Sequence, residues 1–135
     1  MNNEQASHAR LMHCWWILKI TYGLLFVVAG ADKFFNLVTQ WAQYVSPMVL
    51  QLVPLSLSQL MMAVGIIEIL IGILILTAWT RIGAYAACAW LLLIVVNLLS
   101  MGMYFDIAVR DVVMAVGAFV LALLTQVKEE HLDKR

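Results

Sequence analysis

Glu68 and Asp111 are the acids set furthest into apolar sequence, since no Asp, Glu, Lys or Arg occurs from Phe34 to Ile67, from Ile69 to Thr80 or from Val112 to Val127. A charge at the centre of a membrane helix costs about 2.5–3.5 kcal/mol on insertion scales, so each acid must face protein or water, be paired, or be protonated. A carboxyl in such surroundings can exchange a proton with a quinol or gate a small polar ligand, which makes Glu68 and Asp111 the candidate proton acceptors. Lys19, Asp32, Lys33, Asn97, Asp106 and Arg110 are candidates for a shared polar cluster, ligand-binding or structural. Bland roles compete for several of them. Asp106 can cap the fourth helix and pair with Arg110 four residues on. Lys33 can close the first helix at the interface, and the Lys19 stem can snorkel outwards.

Other chemistries find little footing. His8, His13 and His131 lie near the chain ends rather than at membrane depth, so no metal or haem site is expected. The eight Met residues are scattered, and Met61-Met62 reads as packing rather than a copper ligand set. There is no Gly-rich phosphate loop, nucleophile elbow or zinc helix motif. Cys14 and Cys88 form no C-x-x-C pair, and both are expected to be buried free thiols. Net charge is zero with no basic stripe, which sets nucleic acid aside as a partner.

The elements that must position these residues are membrane helices. Of the 135 residues, 64% are hydrophobic, where soluble chains carry about half. Crossing a hydrocarbon core of about 30 Å takes about 20 apolar residues, and four segments qualify: about 11–31, 58–78, 83–101 and 107–127. Arg10, an apolar run and Ala29-Gly30-Ala31 mimic a signal peptide, but Lys19 interrupts the would-be core, so the segment is expected to stay as the first helix. Trp15 and Trp16 open it, and Asp32-Lys33 close it. Ser58 is the expected N-cap of the second helix, Trp79 and Arg81 its interfacial stop, and Lys128 to Arg135 a solvated tail.

Residues 34–57 are apolar but too interrupted to cross. Phe34, Leu37, Val38, Trp41 and Val45 recur at helical spacing before Ser46-Pro47 and Pro54 break the chain. The expectation is an amphipathic helix and an apolar turn forming an outer lid, either interfacial or re-entrant, with Trp41 and Tyr44 as ring contacts. The fold class is thus all-α, one four-transmembrane-helix bundle plus this segment. Gly65 and Gly72 share a face with Glu68, while Gly83 with Ala87 and Ala118 with Ala122 repeat the small-residue pattern by which membrane helices pack. Arg10, Lys19, Arg81, Lys128, Lys134 and Arg135 fall on one side and Lys33 and Arg110 on the other, which predicts both termini in the cytoplasm.

One pattern has a family likeness: Lys19-x3-Gly23-x2-Phe26-x3-Gly30-x2-Lys33-Phe34 in the first helix, Glu68-x3-Gly72 in the second and Asp106-x3-Arg110-Asp111 in the fourth. It resembles DoxX-like membrane proteins. The resemblance implies a four-helix bundle of the bacterial inner membrane, in a family that includes small subunits of thiosulfate:quinone oxidoreductases. Lys19, Lys33, Glu68 and Asp111 are the positions it carries across. Related four-helix groups handle thiols through cysteine pairs, which this chain lacks.

The leading functional expectation is an accessory subunit, embedded in lipid, that docks on a larger respiratory or redox complex or on its own copies. The alternatives are a quinone-reactive oxidoreductase subunit, with quinone under the lid, and a small transporter or lipid-handling bundle.

Overall fold

The computed structural model describes residues 2–133, and within them the chain is all-helical with no strand. Helix α1 spans Asn3–Phe35, α2 Pro47–Leu52, α3 Leu57–Leu76, α4 Thr80–Met101 and α5 Phe105–Asp133, with a single 3-10 turn at Trp41–Tyr44. The four long helices are each long and apolar enough to cross a membrane. They form an up-and-down bundle in which α1 packs most closely on α3 and α4 on α5.

Small residues set both seams. A Cβ on Gly30 would stand 2.6 Å from the Gly65 carbonyl oxygen, and one on Gly72 would stand 2.8 Å from that of Gly23. The matched seven-residue spacing of the two glycine pairs therefore lays α1 and α3 backbone against backbone, close packing being the main attraction available between helices in lipid. On the other side Ala84 and Ala87 of α4 are fully buried against Ala115, Ala118 and Ala122 of α5. Trp15, Tyr22, Phe26, Ile71, Ile75, Leu91 and Leu121 fill the interior between the seams.

The first turns of α1 and the last turns of α5 lie at one end of the bundle. The rings of His8 and His131 are 6.0 Å apart, and Arg81 at the start of α4 pairs with Glu129 of α5 at 3.3 Å. Arg10, Lys19, Arg81 and Lys128 thus gather at the end opposite the lid, with Lys33 and Arg110 beneath it; Lys134 and Arg135 lie outside the described residues.

Several expected boundaries move. Helix α1 begins about two turns before Leu11, and Asp32 and Lys33 belong to its last turn rather than ending it. The N-cap of α3 is Ser56, not Ser58: its hydroxyl accepts from Gln59 N while the Gln59 side chain accepts from Ser56 N, a capping box. The segment expected as a charged tail continues α5 to Asp133. Cys14 is exposed and Cys88 half-buried, so neither is the buried thiol expected.

The lid differs most. Phe34 to Val45 is not one amphipathic helix, because Asn36 adopts a left-handed conformation (φ 51°) that stops α1. The Asp32 carboxylate then takes up the next amides, accepting from Leu37 N at 2.9 Å and Val38 N at 3.1 Å. Such side-chain capture of backbone N–H groups competes directly with a new helical turn. The chain re-forms a helix only at α2, where Ser46 is the cap and Pro47 the first helical residue.

Candidate functional site

At the lid end the last turn of α1 brings Lys33 against the middle of α3. Lys33 Nζ lies 2.5 Å from Glu68 Oε2, and both side chains are only 6% exposed. Two aromatic groups complete the pair: the Lys33 ammonium sits 3.8 Å from the Trp41 ring centroid, and Trp90 Nε1 donates to Glu68 Oε1 at 3.2 Å. A buried charge is costly unless paired and hydrogen-bonded, and here each partner has more than one contact. The glycine seam is what allows it, since Gly65 lets α1 approach closely one turn before Glu68.

Trp41 couples the pair to the lid. Its Nε1 donates to Asp32 Oδ2 at 2.7 Å while its ring covers Lys33, so Asp32 fixes the lid's first residues and its aromatic contact at once. The far side of the lid is held by Asn97 of α4, which accepts from Ser46 N at 3.0 Å and donates to the Tyr44 carbonyl at 2.5 Å. Tyr44 also packs edge-on against Tyr104 at 4.9 Å. Asn97 thus anchors the lid and lines the same chamber as Lys33, Glu68, Arg110 and Asp111.

On α5, Asp111 is buried (5% side-chain exposure) and its Oδ1 accepts from Arg110 Nε at 3.0 Å, with Arg110 Nη2 also at 3.0 Å; the Arg110 side chain itself is 60% exposed. The expected pairing of Asp106 with Arg110 does not form. Helix α5 starts at Phe105, so Asp106 is an exposed residue of the first turn, not the N-cap, and Arg110 turns to its neighbour instead.

Beneath the lid lies a cavity of about 690 Å³, walled mostly by apolar side chains of α3, α4 and the lid, with Lys33, Glu68, Trp90, Asn97, Arg110 and Asp111 as its polar spots. A second cavity of about 620 Å³ opens between α1 and α5 and reaches the same Lys33, Glu68, Arg110 and Asp111. Volumes of this order suit a small organic molecule, and convergent polar groups on an apolar wall fix a ligand's orientation. Chemically the arrangement offers two buried carboxylates, an ammonium, a guanidinium with room to move and three indole or phenol rings.

Lys19 does not join this site. It lies about 21 Å down α1 from Lys33, donates to the Thr77 carbonyl at 2.9 Å and stands 4.8 Å from the Trp15 ring centroid. It therefore closes the C-terminal end of α3, where a cation meets unsatisfied carbonyls. Among the described residues no group of three His, Cys, Asp or Glu side chains converges as a metal site.

Trp90 is the partner that sequence reasoning missed. A signal existed: it stands midway along α4 rather than at either end, where membrane tryptophans gather, and a buried indole N–H needs an acceptor.

Fold and site together define a multi-pass membrane bundle with a lid-covered, ion-paired chamber. Comparison with family models, curated proteins and solved structures returns no match.

Proposed function

We propose that the chain is a DoxX-like protein of the bacterial inner membrane that binds a quinone-type ring in the chamber under the lid, as the small membrane subunit of a larger redox assembly. The observation that carries this reading is the buried Lys33–Glu68 pair facing an apolar, indole-walled cavity of about 690 Å³. A quinone presents a flat apolar ring and oxygen acceptors; the ring suits Trp41, Tyr44 and Trp90, and the oxygens suit Lys33 and Arg110 as donors.

In this reading Glu68 and Asp111 handle protons. Glu68 is the first acceptor, because its Oε1 is turned to the chamber side held by Trp90 while Oε2 stays on Lys33. Asp111 is the second, with exposed Arg110 linking it to the outside. Quinol oxidation also needs an electron acceptor, which a partner subunit supplies; in this way the accessory and quinone-reactive readings of the sequence merge. The excess of Lys and Arg at the end carrying both termini supports that end as cytoplasmic and the lid as periplasmic.

The test is quinone titration of the purified chain in lipid discs, followed by quenching of tryptophan emission. Saturable quenching is expected, weakened by Glu68→Gln and Asp111→Asn. Identical curves for both variants and the unaltered chain would remove these residues from the site.

A further inference from the structure

Among the described residues two hydrogen bonds join helices α1 and α5, and neither lies beyond Tyr22 towards the lid. Trp15 Nε1 donates to Thr125 Oγ1 at 2.9 Å in the half nearer the termini, and the Tyr22 hydroxyl donates to the Met114 carbonyl at 2.7 Å nearer the lid, where Met114 also lines the second cavity. From Tyr22 towards the lid no hydrogen bond joins α1 to α5 among the described residues, and the second cavity fills the space between them. Its outer wall is Thr21, Leu24, Leu25 and Val28 of α1, all exposed on the lipid-facing side. Its inner end is the same set of charged residues that floors the chamber under the lid. The two spaces meet at the ion pairs.

Arg110 stands at that junction. Nε and Nη2 are both spent on Asp111 Oδ1, whereas Nη1 has no partner among the described residues. A guanidinium with spare donors beside an apolar cleft is suited to an oxygen acceptor that carries a long apolar chain.

We infer that the α1–α5 cleft is the lateral portal and tail groove of the site. A chain-bearing ligand enters from the bilayer between α1 and α5, passes its oxygen-bearing head by Arg110 to the ion pairs, and leaves its chain along Leu24, Leu25 and Val28. The inference deepens the quinone reading and rests on it. The same chemistry, an oxygen acceptor on an apolar chain, belongs to phospholipids too, so the test must separate the two sources.

In the experiment, the full chain in lipid discs is titrated with a quinone bearing a long isoprenoid tail and with the same ring bearing only a methyl group. Val28→Trp narrows the cleft at an exposed position; Leu92→Trp, at an exposed position of α4 that lines neither cavity, is the control. The expected result is that Val28→Trp weakens the long-tailed quinone by about tenfold or more while the methyl quinone changes by less than about twofold, and that Leu92→Trp alters neither. Equal binding of both quinones to Val28→Trp and the unaltered chain would overturn the portal while leaving the quinone site intact. Failure of both quinones to bind the unaltered chain would overturn the quinone reading itself. If a phospholipid rather than quinone occupies the groove, native mass spectrometry finds co-purified lipid that Val28→Trp loses and long-tailed quinone fails to displace, and this outcome overturns the assignment of the tail to a quinone.

Discussion

Removing one partner of the Lys33–Glu68 pair tests the physics of the site. The two charged atoms are 2.5 Å apart and each side chain is 6% exposed, so Glu68→Gln leaves a buried ammonium facing a neutral amide. At an effective dielectric constant of about 20 the Coulomb attraction alone is about 6–7 kcal/mol, but desolvation offsets much of it. The relevant figure is the cost of orphaning a buried charge, about 3–5 kcal/mol. The Trp41 ring sits over the ammonium in the unaltered chain and the variant alike, so it does not offset this cost, and Glu68→Gln should lose about 3–5 kcal/mol. Lys33→Met should cost a similar amount, since it orphans the carboxylate, although Trp90 still donates to it. The double variant has no charge to strand and should lie within about 1–2 kcal/mol of the unaltered chain, giving a coupling of at least about 2 kcal/mol. Reversible unfolding in mixed micelles, run as a double-mutant cycle, measures this. Additive losses would mean that the two groups do not share a dry site, and the chamber as described would be wrong.

Other perturbations follow from single contacts. Trp90→Phe keeps the ring but removes the N–H donor to Glu68, and unfolding should register a loss of about 1–3 kcal/mol. Asn97→Leu frees both the Ser46 amide and the Tyr44 carbonyl, so hydrogen exchange across residues 44–50 should speed up while α1, α3 and α5 stay protected. Gly30→Ala drives a Cβ against the Gly65 carbonyl and should cost about 1–3 kcal/mol, whereas Leu92→Ala on the lipid-facing side should change unfolding by less than about 0.5 kcal/mol. Extraction of the chain from its native membrane in mild detergent should yield a complex heavier than this subunit alone; recovery of the single chain would remove the accessory part of the proposal.

The bundle was legible because its signal is long and redundant: four predominantly apolar segments, each long enough to cross a membrane, and glycines spaced to match across α1 and α3. Glu68 was legible for the same reason, as an acid that its surroundings could not tolerate alone. Its partner was harder, because Lys33 reads as an ordinary interfacial stop until the glycine seam carries the end of α1 to the level of Glu68. The lid was misread because periodicity counts apolar side chains and ignores a local competitor, here the Asp32 carboxylate capturing two amides. Pairing of Arg110 with Asp111 rather than Asp106 escaped for a related reason: helical spacing favours the residue four positions away, but the neighbour was the one buried.

The most direct measurement of the site is photolabelling with an azido-quinone in native lipid, with adducts located by mass spectrometry. Adducts at Trp41, Tyr44, Trp90 or Ile94, suppressed by excess unlabelled quinone, are the predicted result. Labelling confined to bilayer-facing residues such as Leu92 and Val113, unaffected by that competition, would contradict a quinone in the chamber under the lid.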